Sequence, residues 1–371
     1  MADDDKPIVK AKLPSAREIS RTDFTPHGIK QKKGVGAKNK PSGLTAAQSA
    51  KRRRIFIALS TVIVLAVAGG TVWYVTRPEP HLSVTGAYGK EPTVLIPKSV
   101  KQPAKTTTEV LHQGTGATIT KGDYTFINAV TYVWSHKPYK RKMIGNSTIK
   151  TNKPSAVQIG GGQTLPGLEA GLTGKKVGSR VMVEIPPKDG LGSSGNAQYG
   201  ITGTDTLIFV VDVVGTYGKN SAASGTPQKV TDSSLPTVTV NGAGKAPTVT
   251  IPKSTAPTTL KAQTLIEGTG PVVKTGQALV MQYHGVLWRN GSVFDSTWTK
   301  GTPFITQIGT GQVIKGWDQG LVGKKVGSRV LLVVPPSLGY GSKGSGTTIK
   351  GTDTLVFVAD ILAAYDASAA G

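Results

Sequence analysis

Apolar residues fall into three regimes along this chain. Residues 1–54 are polar and rich in Lys and Gly, with no apolar period. Such a stretch cannot bury enough surface to offset chain entropy, so it is expected to be a disordered basic tail. Lys51-Arg52-Arg53-Arg54 then abuts Ile55-Phe56-Ile57-Ala58-Leu59, and the apolar run continues uncharged through Val75. At about 1.5 Å rise per residue, some 20 residues cross a hydrocarbon core, so residues 55–75 predict one transmembrane helix. Beyond residue 76 the runs shorten to strand length. The runs Ala278 to Trp288 and Val330 to Val334 read as alternating strands, and Asn290-Gly291 reads as a two-residue hairpin turn. Only Ile314 to Leu321 reads as a short helix, with Gly323 placed to end it. The pattern predicts a curved antiparallel sheet packed on one short helix.

It predicts this unit twice, at a period of about 150 residues. The segment Gly89 to Ser99 returns as Gly244 to Ser254, Gly174-Lys175-Lys176-Val177-Gly178-Ser179-Arg180-Val181 returns at Gly323 to Val330, and Gly203 to Leu207 returns at Gly351 to Leu355. The expected organisation is a tail (1–54), an anchor (55–75), an extended segment (76–104), a first unit (105–217), a second extended segment (218–258) and a second unit (259–368). The two extended segments are rich in Pro and Thr, and the sequence leaves open whether they pack on their units or act as spacers. The Arg cluster precedes the span, and Trp73 and Tyr74 stand at its far end. The positive-inside rule then keeps the N-terminus cytoplasmic and both units outside the cell. Ala66-Val67-Ala68 also resembles a signal-peptide cleavage site, so removal of the anchor near Ala68 is the alternative.

Composition narrows the chemistry. The 47 Gly and 23 Pro suit β-rich units with tight turns. Without cysteine there is no disulfide framework, thiolate catalysis or cysteine-ligated zinc. His27, His81, His112, His136 and His284 are widely separated and show no ligand spacing, so no metal site is expected. The Gly-Lys-Lys repeats lack the glycine spacing and the following Ser or Thr of a phosphate loop and read as turns. A net charge of +23 raises the question of nucleic acid, but the lysines are scattered without aromatic interleaving. Anionic lipid headgroups or wall polymers suit that distribution better, and no nucleic-acid partner is expected.

The second unit carries Tyr283-His284-Gly285, Val293-Phe294-Asp295-Ser296, Gln312-Val313-Ile314-Lys315-Gly316-Trp317, Leu338-Gly339-Tyr340-Gly341 and Thr354-Leu355-Val356-Phe357. With Phe304, these words supply six aromatics and one carboxylate, and no nucleophile with a partner base. Such a set binds something apolar. The arrangement closely resembles the FKBP family, macrolide-binding peptidyl-prolyl cis/trans isomerases, over about the last 110 residues.

The resemblance implies an α+β fold with two FKBP-like domains, each a curved antiparallel sheet on a short helix, following the single transmembrane helix. It implies Trp317 as the floor under a proline ring, with Tyr283, Phe294, Phe304, Val313, Ile314 and Phe357 as walls. Asp295 would orient Tyr283 and polarise the site. The Ile314 backbone N–H and the Tyr340 hydroxyl would bond substrate carbonyls, Gln312 would contact substrate, and Ile349 would lie in the loop over the pocket. The catalytic set so implied is Tyr283, Phe294, Asp295, Trp317, Tyr340 and Phe357. No cofactor is implied; proline-containing polypeptides and FK506- or rapamycin-type macrolides are. His284 reads as a structural strand residue.

Aligning the repeats sets Ala129 opposite Tyr283, Gly145 opposite Phe294, Asn146 opposite Asp295, Ser155 opposite Phe304, Leu168 opposite Trp317 and Leu191 opposite Tyr340. About five extra residues between Trp134 and Pro154 alter the rim. The first unit is therefore expected to be degenerate, serving as a spacer, a dimerisation unit or a polypeptide-binding module. The whole chain reads as a single-pass, extracytoplasmic isomerase that assists folding of exported proteins. A non-catalytic surface binding or adhesion protein is the rival.

Overall fold

The computed structural model describes residues 81–136, 139–144 and 148–366. The expected tail, the span 55–75 and residues 76–80 lie outside them. Among the described residues no helix is long and apolar enough to cross a membrane.

The first domain opens with the hairpin β1 (Ser83–Thr85) and β2 (Thr93–Leu95). It continues through β3 (Thr107–His112), β4 (Tyr124–His136), β5 (Tyr139–Ile144), the one-turn helix α1 (Thr148–Thr151), β6 (Ser155–Gln158), α2 (Pro166–Leu172), β7 (Arg180–Ile185) and β8 (Thr206–Tyr217). Its sheet runs β3-β7-β8-β4-β5, with β6 also on β4. The second domain repeats this with one added edge strand: β9 (Gly225–Pro227), the hairpin β10 (Thr237–Thr239) and β11 (Thr248–Thr250), β12 (Lys261–Gly268), β13 (Gln277–Leu287), β14 (Val293–Ser296), α3 (Thr297–Lys300), β15 (Phe304–Gln307), α4 (Lys315–Leu321), β16 (Arg329–Val334) and β17 (Leu355–Asp366). The order is β14-β13-β17-β16-β12-β9, with β15 on β13, and every pairing is antiparallel.

Helix α4 begins at Lys315, one residue later than the pattern suggests, because Ile314 has extended backbone and acts as N-cap. It ends at Leu321 with Val322 as an extended C-cap, and Gly323 follows at φ +86° in the turn that brings the Lys324 N–H onto the Leu321 carbonyl. Gly316 and Gly320 set how closely it lies on the sheet. A Cβ at Gly316 would come within 2.4 Å of a Val334 methyl, and one at Gly320 within 2.6 Å of a Leu332 methyl. Trp317 and Leu321 on the same face enter the core with Tyr283, Leu287, Leu332, Val334 and Phe357. The one-turn helices α1 and α3, four residues each, escaped the sequence reading because a single turn shows no period.

The extended segments pack on their domains. Hairpin β1–β2 covers the sheet face away from α2, where Leu82, Val94 and Ile96 meet Val130, Trp134, Met182, Ile208 and Val210. In the second domain Leu235, Val238, Val249 and Ile251 cover Val286, Trp288, Leu331, Val333, Val356 and Val358. Residues 330–334 are therefore buried on both faces and are apolar at every position, without the alternation of a half-exposed strand.

Each sheet holds one buried ion pair at the same place. Arg180 donates from Nε and Nη2 to Asp212 at 2.6 and 2.7 Å, and Arg329 does so to Asp360 at 2.6 and 2.8 Å. Between the domains Phe126 stacks on Tyr365 at 4.5 Å, and the Tyr217 and Tyr365 hydroxyls share a hydrogen bond of 2.8 Å.

Candidate functional site

A cavity of about 460 Å³ opens between α4 and the concave side of the second sheet. It is lined by Tyr283, Phe294, Asp295, Phe304, Gly311, Gln312, Val313, Ile314, Trp317, Tyr340 and Phe357. Each lining element is placed by a specific local cause. Tyr283 and Gly285 alternate onto the concave side of β13. Strand β14 pairs Gly285 with Asp295 but Val286 with Val293, so Phe294 is an extra residue in a bulge. A bulge re-aims side chains, and here Phe294 and Asp295 both reach the cavity. The close approach requires Gly285: a Cβ there would sit 2.7 Å from the Phe294 ring and 3.1 Å from the Phe357 ring.

The aromatic floor is built edge to face. Trp317 meets Tyr283 at 4.9 Å, Phe357 at 5.1 Å and Phe304 at 6.0 Å, with interplanar angles of 73°, 80° and 74°. Rings so arranged present edges to faces, the favoured geometry of their quadrupoles. Trp317 and Phe357 are buried, whereas Tyr340 is 41% exposed at the rim.

The polar part is small. The Tyr283 hydroxyl donates to Asp295 Oδ2 at 2.5 Å, and Lys300 Nζ lies 2.6 Å from Asp295 Oδ1. Thr297 Oγ1 accepts from the Tyr283 N–H at 2.8 Å and holds that strand to α3. Burial acts to raise the Asp295 carboxyl, but Lys300 and the Tyr283 hydroxyl outweigh it and hold the group below its ordinary value of 3.8. Burial, then the adjacent carboxylate, pushes the Tyr283 phenol well above its ordinary 10.0. His284, buried on β13, is lowered from 6.5 by desolvation. The site therefore combines a carboxylate, a neutral phenol and a set of rings.

The Asp318 carboxylate, in the first turn of α4, accepts the N–H groups of Gly309 and Gly311 at 2.6 and 2.8 Å. It thereby braces the loop that carries Gln312 and Val313. Ile314 accepts the Trp317 and Asp318 N–H groups through its carbonyl, and its own N–H has no acceptor among the described residues. Gln312 donates to the Gln307 side chain at 3.1 Å. Lys300, Gly311, Asp318 and Thr297 were not singled out in the sequence. Lys300 and Asp318 bear on the site through single ion-pair or backbone contacts that carry no spacing signature.

Ten of the eleven residues expected at the site line the cavity, and Ile349 does not. Its loop turns back on itself through reciprocal Ser345–Ile349 backbone hydrogen bonds, and its side chain is buried in the cluster that also holds Tyr283, Trp317 and Phe357. The Asn290-Gly291 turn is also wider than expected. Leu287 accepts from the Gly291 N–H, Leu287 N–H reaches the Ser292 carbonyl, and only Gly291 is left-handed. Asn290 instead uses its side chain to accept from the Ser292 N–H and hydroxyl.

The first domain has the same frame with other contents. Ala129 N–H donates to Thr148 Oγ1 as Tyr283 does to Thr297. Ser155 pairs with Ile127 where Phe304 pairs with Met281, and Thr131 stands opposite Phe209 where Gly285 stands opposite Phe357. Ala129, Ile144, Leu165, Leu191 and Phe209 pack against the core cluster that contains Leu168. The extra residues extend the β4–β5 hairpin as far as the His136–Tyr139 pair. Gly145 and Asn146 lie outside the described residues.

The sequence matches the family model described as FKBP-type peptidyl-prolyl cis-trans isomerase twice, over residues 117–214 and 270–362. An FK506-binding protein of Streptomyces anulatus is 44% identical over 118 residues, which is 32% of this chain and 95% of that protein. FK506-binding protein 2 of Dictyostelium discoideum is 49% identical over 89 residues, 24% of this chain and 66% of the relative. The crystal structure of AtFKBP13 covers 31% of this chain and 96% of that one at 34% identity, with a TM-score of 0.27.

Proposed function

Because the chain belongs to the FKBP-type peptidyl-prolyl cis-trans isomerase family, we propose that its catalysis is carried out by the second domain, on Xaa-Pro bonds of exported or surface proteins. The observation that carries this is the single cavity into which Tyr283, Phe294, Asp295, Phe304, Trp317, Tyr340 and Phe357 converge.

The barrier to rotation about an Xaa-Pro bond is about 18–20 kcal/mol and arises from partial double-bond character. A ring-lined, water-poor cavity disfavours the charge-separated planar amide relative to the twisted one. Trp317 and its edge-on neighbours hold the proline ring flat. The Ile314 N–H and the Tyr340 hydroxyl hold the flanking carbonyls, so that binding favours the twisted geometry. Asp295 keeps the Tyr283 hydroxyl turned away from bulk water. No proton is transferred. The test is turnover of a proline tetrapeptide by residues 81–366 and its inhibition by FK506; no turnover above background rejects the reading.

Since no step needs a proton, turnover should be flat from about pH 7 to 9. A bell-shaped profile in that window would contradict the mechanism. Stability should behave differently on the acid side. The Asp295 and His284 values are both lowered on folding, so their contribution is complete above the ordinary 3.8 and 6.5 and is lost as pH falls through those values toward the folded ones. Urea midpoints measured from pH 8 to 4 would show the decline beginning near the histidine value.

The protein acts as a single-pass membrane protein with a cytoplasmic N-terminus; the Arg52-Arg53-Arg54 cluster ahead of the apolar run 55–75 supports this. Protease added to spheroplasts should then digest both domains. Survival of the full-length chain, with a control ectodomain digested, rejects the orientation, and spontaneous release of a fragment starting near Gly69 indicates cleavage.

A further inference from the structure

The two buried arginines are not equally satisfied. In the first domain Arg180 Nη1 donates to the Gly86 carbonyl at 2.6 Å and Nη2 to the Lys90 carbonyl at 2.7 Å, both in the tip of hairpin β1–β2. In the second domain Arg329 keeps its two bonds to Asp360, but its Nη1 is buried with no partner. Arg329 is only 5% exposed.

The cause is legible in the hairpin tips. Gly86 follows the last pair of β1 and adopts φ +106°. Val240 holds that position in the second hairpin, and a β-branched residue is excluded from such a φ. The second tip is one residue longer, 240–247 against 86–92. It closes on itself, with Asn241 donating to the Ala246 carbonyl and to Thr248 Oγ1. Asp360 is still served, since the Ala223 N–H replaces the Gly89 N–H that caps Asp212. Both hairpin carbonyls are missing from the second guanidinium; Nη2 keeps Asp360, and Nη1 is left with no acceptor. Beside it lies a cavity of about 560 Å³ lined by Arg329, Val230, Leu235, Val238, Val240 and Leu265 among others. Val230 and Val240 are exposed at its mouth.

We propose that this cavity is a second polypeptide-binding site, separate from the proline pocket, that takes a short apolar segment whose backbone carbonyl docks on Arg329 Nη1. The first domain shows the geometry of that bond, because its own Gly86 carbonyl makes it. A neutral carbonyl suits the site better than an anion, since Asp360 already balances the guanidinium and Asp232 lines the same cavity. Aliphatic side chains of the segment lie on Val230, Val240 and Leu265, beside the sheet face that Val238 and Val249 already cover. The site does not depend on the isomerase reading.

The test is fluorescence anisotropy of a labelled, capped peptide with the sequence Ser-Val-Thr-Gly-Ala of residues 83–87, titrated with full-length protein. Saturable binding is expected. It should weaken roughly ten-fold in Arg329→Lys, which keeps a cation for Asp360 but removes Nη1. It should weaken similarly in Val240→Glu, at an exposed tip outside the proline pocket, with proline-peptide turnover unchanged. If Arg329→Lys fails to fold, Val240→Glu decides. Absence of saturable binding at millimolar peptide overturns the proposal, as does binding undiminished in Val240→Glu or displaced by FK506.

Discussion

A fragment of residues 219–366 is expected to isomerise proline peptides at nearly the rate of residues 81–366, while one of residues 81–218 stays at background. Both fragments include their own covering hairpin, so each retains two buried sheet faces. The difference lies in what faces α2 and α4. Leu168 offers an aliphatic floor, and Ala129 and Ser155 cannot close around a ring as Tyr283 and Phe304 do. Trp317→Leu places the first domain's floor in the second. It removes three edge-to-face ring contacts, with an apolar loss of about 1.5–3 kcal/mol, or roughly ten- to a hundred-fold in turnover. Asp295→Asn should lower turnover less, because the Tyr283 hydroxyl keeps an acceptor. Equal rates from the two fragments, or full activity in Trp317→Leu with an unchanged circular dichroism spectrum, would show that the pocket is misassigned.

Removing either buried arginine should rank among the most destabilising single changes in the protein. Arg180→Ala or Arg329→Ala strands a carboxylate that is essentially inaccessible to water, and breaking one side of such a pair costs about 3–5 kcal/mol. Arg180→Ala should fall at the upper end, because the Gly86 and Lys90 carbonyls lose their donor at the same time. Denaturant titration followed by tryptophan fluorescence separates the domains, since Trp134 lies in the first and Trp288, Trp298 and Trp317 in the second. A loss below about 1 kcal/mol for Arg180→Ala would mean that water relieves the stranded Asp212 and that the pair is a weaker clamp than its geometry implies.

What could be read from sequence was whatever has a period or a composition. The strands, the repeat, the helix around Trp317 and the ring set of the pocket all announce themselves in residue types. The bulge at Phe294 does not, because a single unpaired residue leaves the apolar pattern unchanged and is set by how Gly285 admits two rings. Asn290-Gly291 misled because the side chain of Asn290 found the Ser292 N–H, which removes any need for a left-handed Asn. Ile349 is expected in the loop over the pocket by resemblance; the self-paired loop buries it in the cluster that holds Tyr283, Trp317 and Phe357, and it does not line the cavity. The run 330–334 did contain an unused signal. Five apolar residues without alternation imply cover on both faces, and hence that the extended segments pack and are not spacers.

The bonds that seat the first hairpin reach very far along the chain. Tyr88 bonds to the Val213 carbonyl across 125 residues, Gly89 to Asp212 across 123, and Arg180 to Gly86 across 94. Closing a loop of that length costs on the order of 4 kcal/mol before any contact compensates. The hairpin is the first part of the domain to leave the ribosome and the last to be secured, since Asp212 lies on the final strand. We therefore expect vectorial synthesis to yield no stable intermediate within the domain. Stalled chains with residues through Gly203 exposed should be protease-sensitive along their length, and those with residues through Gly218 exposed should be resistant. Resistance of the shorter chain would show that the hairpin finds another seat while it waits.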